Sequence, residues 1–328
     1  MTLPDGLEPG RTPDPAGHAD HASTEDLSLA SLGPDVTPPE GAVVVGLDGS
    51  LVARAAEEWA AAEATRRRVP LHLLCAREVF VGSIGPLDLP LGLAPVTDDN
   101  SRRVLEEAVR RLHELHPRLA VTTHAPFGRP ARHLIEASQV AGLLVVGNRG
   151  RGRLSAALLG TTTLQTVSHS HCPVVVVSGP VVPSGPSRRV VVGADGSEAS
   201  AQAVRFALAA AGDGGQVTVI HSWWLEVVDG VVVTTPESEQ WRVAVHRHES
   251  ALQASLGDTA ADYPAVEVRT SVVRGNASEV LLGAAAEADL LVVGSRGRGG
   301  FTGLLLGSVS QRVMSLAQCP VAVIHPDR

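Results

Sequence analysis

Residues 145–166 read VVGNRGRGRLSAALLGTTTLQT, and residues 292–313 read VVGSRGRGGFTGLLLGSVSQRV. Gly147, Gly150 and Gly160 map onto Gly294, Gly297 and Gly307 with a single shift of 147 positions. The same shift carries Asp48 (GLDGS) to Asp195 (GADGS), Trp59 to Phe206, Gly128 to Gly275, and Cys172-Pro173 to Cys319-Pro320. One register held by landmarks this far apart means that the chain is two copies of one domain. The copies are expected over residues 41–179 and 188–328, joined by the Pro/Gly/Ser-rich linker 180–187 (PVVPSGPS).

Each copy alternates Val/Leu runs with Ala-rich helical segments. Strands are expected at Ala42–Leu47, Leu71–Cys75, Ala120–Ala125, Leu143–Gly147 and Pro173–Ser178. Their counterparts are Arg189–Ala194, Gln216–His221, Val266–Val272, Leu290–Gly294 and Pro320–His325. These runs lack in/out alternation, as strands covered on both faces do. Five strands interleaved with helices, twice, give an α/β fold class: two tandem doubly wound five-stranded parallel sheets, Rossmann-like or flavodoxin-like. Ligands of such sheets sit outside the carboxyl ends of the strands. The Asp-Gly-Ser turn after strand one and the glycine loop after strand four both fall at that edge.

Composition narrows the chemistry. With aromatics at only 3%, the core must be Val, Leu and Ala. The chain contains no lysine, which excludes a P-loop and Schiff-base catalysis. Residues 1–40 hold eight acids, one base and seven prolines, and are expected to be a disordered acidic leader. That leaves 27 acids against 26 bases elsewhere, so no nucleic-acid footprint is evident. No apolar run has the length of a membrane span, no secretory signal is apparent, and three cysteines make no disulfide framework. A cytoplasmic protein is expected.

Backbone N–H groups approach an anion closely only where no Cβ intervenes, so a glycine loop feeding a helix N-terminus is suited to phosphate. The spacing Gly-x2-Gly-x9-Gly-[Ser/Thr] is met by Gly147, Gly150, Gly160 and Thr161, and by Gly294, Gly297, Gly307 and Ser308. Arg149 and Arg151, or Arg296 and Arg298, can offset negative charge at the mouth. The plainer reading makes the glycines turn formers and Asp48 and Asp195 helix N-caps. His169, His171 and Cys172 suggest zinc, but a second ligand pair is missing and a helix end fits better. Trp223 and Trp224 follow strand two, as a covering loop or a stacking surface. A dinucleotide-binding turn would need G-x-G-x-x-G after strand one, where the chain has Gly46-Leu-Asp-Gly-Ser.

With these motifs in one order, twice, the chain after about residue 41 resembles the tandem, ATP-binding branch of the universal stress protein family. The resemblance rests on Asp-Gly-Ser, Gly128/Gly275, Leu-Leu-Val-Val-Gly before the spaced glycines, and Cys-Pro-Val at the last strand. It implies ATP, with Mg²⁺, on the spaced glycines and on Thr161 and Ser308. Thr163 and Ser310 would extend that hydroxyl row. Asp48 and Asp195 would lie at the nucleoside end, with backbone at Ala76 and Ser222 lining the adenine slot. Gly300 and Gly303 are Arg153 and Ala156 in the first copy, which makes the first loop less permissive. The expected function is ATP-binding stress response with slow or no hydrolysis; the rival is an interaction module of the same fold without nucleotide. The resemblance also implies that the two last strands pair in an intramolecular pseudo-dimer, and it allows a homodimer.

Overall fold

The computed structural model describes residues 37–77, 99–150, 159–180, 188–224, 227–228, 231–232, 235, 238–297 and 305–326. Most of the acidic leader, residues 181–187 of the linker, and Arg151, Arg153, Ala156, Arg298, Gly300 and Gly303 lie outside the described residues. The first copy runs β1 (Val43–Gly46), α1 (Leu51–Arg67), β2 (Leu71–Leu74), α2 (Asp99–Leu115), β3 (Val121–His124), α3 (Pro130–Ala137), β4 (Leu143–Gly147), α4 (Thr161–His169) and β5 (Val174–Val177). The second runs β6 (Arg189–Gly193), α5 (Glu198–Ala211), β7 (Gln216–Trp223), a short hairpin β8 (Val227–Val228) and β9 (Val231–Val232), and α6 (Glu239–Leu256). It closes with β10 (Glu267–Arg274), α7 (Ala277–Ala285), β11 (Leu290–Gly294), α8 (Ser308–Leu316) and β12 (Val321–Ile324).

Both copies feed one ten-stranded sheet in the order β10-β7-β6-β11-β12-β5-β4-β1-β2-β3. Within each copy all neighbours are parallel. The last strands meet as expected: β12 and β5 pair antiparallel, Val321 opposite Val176 and Val323 opposite Val174. Because that one pairing reverses direction, the carboxyl ends of the two copies lie at opposite edges of the sheet.

The all-apolar strands β5 and β12 are fully buried at the seam. At the margins β3 and β10 carry residues such as Thr122, Glu267 and Arg269 and stay half covered, which blunts an edge against further pairing. Helices α1, α2, α5 and α6 cover one face around Trp59, Leu105, Leu208 and Leu252. Helices α3, α4, α7 and α8 cover the other around Leu134, Val167, Leu281 and Met314. Both apolar layers run unbroken across the seam, so the copies share a core.

Charge crosses the seam too. Glu63 of α1, wholly buried, accepts from Arg66 at 2.7 Å, Arg67 at 2.6 Å and Arg188 of the second copy at 2.7 Å. Arg66 also donates to the Ala209 carbonyl of α5, and Arg188 lies over the Trp59 ring. Burial alone would raise the Glu63 carboxyl. The Arg66 hydrogen bond and the charges of Arg67, Arg188 and Arg66 outweigh it and hold the group at about 2. Shifted by 147 positions, Glu63 becomes Ala210, so this cluster has no twin.

Two features depart from the sequence reading. β7 runs on to Trp223 because β10 pairs with it as far as Arg274, so Trp223 is a strand residue and not part of a following loop. The β8–β9 hairpin between β7 and α6 has no counterpart among the expected strands.

Candidate functional site

The turn after β1 is built identically in both copies. Asp48 Oδ1 accepts from the Ser50 N–H at 2.9 Å, and Asp195 Oδ1 from the Ser197 N–H at 3.0 Å. Gly49 and Gly196 supply the left-handed backbone, with φ 79° and 80°. The helix caps are Ser50 and Ser197, whose hydroxyl oxygens accept from the N–H groups of Ala53 and Ser200. Capping therefore belongs to the serines, and the aspartates are not N-caps. Each aspartate is oriented by its own turn while Oδ2 meets the loop after strand four. A Cβ added to Gly150 would lie 2.7 Å from Asp48 Oδ2, and one added to Gly297 would collide with Asp195 Oδ2. A side chain at the middle glycine would thus have to displace the aspartate or the loop.

The outer glycines divide. At Gly147 a Cβ would stand 2.9 Å from Val52, and at Gly294 it would stand 3.0 Å from the Arg296 carbonyl. At Gly160 and Gly307 it would meet nothing closer than 3.5 Å, and φ is an ordinary −65° and −76°. Among the described residues, neither backbone strain nor crowding calls for glycine there. Both residues are N-caps, of α4 and α8, and neither helix receives a side-chain cap, whereas Ser50, Ser197, Ser238 and Asn276 cap α1, α5, α6 and α7. Among the described residues no side chain caps these two helices, and each begins with the positive end of the helix dipole, where a negative ligand is stabilised.

The hydroxyls behave differently from one another. Thr161 and Ser308 are exposed on the first turn. Thr163 and Ser310 are buried: Thr163 donates to the Gly147 carbonyl at 2.7 Å, and Ser310 reaches the carbonyls of Gly307 at 2.8 Å and Ser295 at 3.1 Å. They staple helix to loop, and Ser310 also borders the cavity of the second copy.

In the second copy these parts line a cavity of about 620 Å³, within the range of small-ligand sites. Asp195, Ser222, Gly294, Gly297, Gly307, Ser308 and Ser310 all border it, with Arg296 beside them. Ser222 donates to the Gly275 carbonyl at 2.6 Å, tying the ends of β7 and β10. Its match in strand register, Ala76, follows β2 in the first copy, two residues beyond the Gly46–Leu74 pair. In that copy Asp48 stands against Gly150 as Asp195 does against Gly297.

Sequence reasoning missed part of the wall. His221, Arg247 and His248 also border the cavity. Trp223 is 5% exposed and packs on Trp241 and His248, whereas Trp224 is 68% exposed at the border. A histidine inside the apolar run of β7 was the one available signal. Of His169, His171 and Cys172, His169 Nδ1 contacts the Gln165 carbonyl at a helix end, and no group of three metal-binding side chains occurs among the described residues. Burial pushes the thiol of Cys172 up to about 12 and that of Cys319 to about 11, which leaves both protonated and unreactive. No described helix is long and apolar enough to cross a membrane.

The model of the universal stress protein family matches residues 41–178 and again 186–325. A universal stress protein of Mycolicibacterium smegmatis is 37% identical over 292 residues, spanning 88% of this chain and 98% of its own. Another, from Mycobacterium tuberculosis, is 33% identical over 287 residues, spanning 86% and 95%. The crystal structure of a universal stress protein from Archaeoglobus fulgidus superposes with a TM-score of 0.57 at 20% identity, covering 87% of this chain and 96% of that one, and so supports the fold. With the family domain matched twice in one register, this chain belongs to the universal stress protein family as a tandem of two of its domains.

Proposed function

We propose that the protein binds ATP, with one nucleotide site in each copy, and holds it with slow or no hydrolysis. The observation that carries this reading is the pair Gly160 and Gly307. Each is a glycine that no described residue requires, at the N-terminus of a helix without a side-chain cap and at the loop that faces the Asp turn. Polyphosphate is the ligand chemistry that uses bare N–H groups, the positive end of a helix and a flanking arginine such as Arg296 together. The exposed hydroxyls of Thr161 and Ser308 would donate to phosphate oxygens or to water around an accompanying Mg²⁺. Asp48 and Asp195, one turn away across the loop, suit a polar nucleoside group, and Ala76 and Ser222 stand where the base would lie.

Holding is favoured over turnover by the way the carboxylates are used. Asp195 is committed to its turn and packed on Gly297, so it is poorly placed to activate a water. Phosphoryl transfer by positioning alone is slow without such a group.

Calorimetric titration of the full chain with ATP and Mg²⁺ tests the proposal. Saturable uptake approaching two nucleotides per chain is expected, and acid extraction of the purified protein should release adenine nucleotide. A folded chain that takes up none would instead support an interaction module of the same fold.

A further inference from the structure

The wall of the second cavity contains a hydrogen-bonded relay that the phosphate side does not need. His221 of β7, 6% exposed, places Nδ1 at 2.7 Å from the Ala194 carbonyl, at the end of β6. Its Nε2 lies 2.9 Å from Nδ1 of His248, on α6. A carbonyl only accepts, so in the neutral pair His221 carries its hydrogen on Nδ1, and its Nε2 accepts from Nδ1–H of His248. The His248 ring is also stacked on Trp223, with centroids 5.1 Å apart and planes 18° from parallel. Trp223 in turn is braced edge-on by Trp241, and the Arg274 guanidinium lies over both indoles. Three strands and a helix thereby fix one imidazole at the cavity wall, on the side where β6 and β7 end.

A rigid planar wall gives little to a phosphate, which is a point-like, strongly hydrated anion. It suits a flat heterocycle, whose contact is bought with little loss of side-chain freedom when the wall is already ordered. At the strand positions of His221 and Trp223 the first copy has Cys75 and Arg77, in register with β1 and β6. Arg77 is turned onto the Phe127 ring at 3.7 Å and donates to the Ala125 carbonyl.

Resting on the nucleotide reading above, we propose that His248, positioned by His221, contacts the base of a purine nucleotide in the second cavity and gives that site a base-dependent affinity. Three of the four tryptophans (Trp223, Trp224 and Trp241) stand on this side of the second copy, so their emission reports this site. The probes are ATP with Mg²⁺ and inorganic tripolyphosphate, which keeps the phosphates and lacks the base. In the full chain, His248→Ala should weaken ATP at least tenfold in the tryptophan signal while tripolyphosphate changes less than twofold. His221→Leu, which frees His248 from the relay, should weaken ATP in the same direction by less. Retained tripolyphosphate binding certifies that the variant site is folded. Should His248→Ala fail that check, His248→Gln replaces it, with several-fold ATP weakening expected. ATP affinity equal to the parent's, or an equal loss of ATP and tripolyphosphate in a variant whose melting is unchanged, overturns the proposal. A parent that binds neither probe overturns the nucleotide reading itself, which is a different result.

Discussion

The two copies agree most closely where a loop meets the Asp turn and differ most along the outer strands. Asp48 and Asp195 make the same turn bond to within 0.1 Å (2.9 and 3.0 Å), and Gly150 and Gly297 are pressed on them in the same way. By contrast β2 and β3 have four residues each, and β7 and β10 have eight. The rings beside those strands differ as well. The first copy buries His72, fully enclosed against Thr122 and held neutral by burial and the nearby His124, down at about 4. The second builds the His221–His248 relay. The duplicated sequence is thus alike where the glycine loop meets the Asp turn, and differs where side chains stand beside the outer strands.

The largest expected effect tests the sharpest asymmetry between the copies, Glu63 against Ala210. Replacing Glu63 by Ala strands the buried Arg188 and should cost about 3–5 kcal/mol, read as a lower denaturation midpoint. The pH dependence follows from the same group. Its folded value is depressed to about 2 from an ordinary 4.5, so the stabilisation is present above 4.5 and is lost as pH falls toward 2. The parent should lose stability in that window, and the Glu63→Ala variant should lose less of it. Identical acid profiles would show the cluster to be neutral.

Next comes the most conserved geometry. Gly297→Ala should push Asp195 from its place and lower ATP affinity of the second site by about tenfold or more, which is ~1.4 kcal/mol. Gly150→Ala should do the same to the first. The double variant, still folded, should bind no ATP in calorimetry; parent-like binding would make these glycines turn formers only. A smaller effect separates ligand from fold. Gly307→Ala and Gly160→Ala have room for the methyl group, so stability should move by no more than about 1 kcal/mol, while ATP affinity at the altered copy falls several-fold. Were stability to collapse and binding to persist, the reason for glycine would lie inside the protein. Smallest of all, Ser50→Ala and Ser197→Ala should each cost about 1 kcal/mol of stability and leave ATP binding intact. Asp48→Ala and Asp195→Ala should weaken binding without that capping cost.

How much of this the chain discloses depends on whether partners are near in sequence. The strands β4 and β11 are legible because LLVVG is apolar throughout, and a strand covered on both faces needs no alternation. The glycine spacing is legible because it recurs at one shift. Within Asp-Gly-Ser, however, both the acid and the serine are competent caps, and only the backbone geometry of the turn assigns the role to Ser50. The sequence offers Thr163 and Ser310 as ligand hydroxyls, and only the fold shows that they also reach the carbonyls of Gly147 and Ser295. Glu63 stands three and four places before Arg66 and Arg67, a spacing that does not disclose burial. Its third partner is 125 positions away, and only the meeting of the two copies brings it in. Trp223 was misplaced for a similar reason, since the length of β7 is set by β10, which is not its neighbour in sequence.

The antiparallel pairing of β5 with β12 has a bearing on concentration. Two separate domains joined by such a pairing would come apart on dilution, and their state would report how much of the protein is present. Here the partners belong to one chain, so the encounter is intramolecular and its effective concentration does not depend on abundance. Cellular amount can then change the number of these units but not the pairing of one copy with the other, and each unit carries its two unequal copies in a fixed one-to-one ratio.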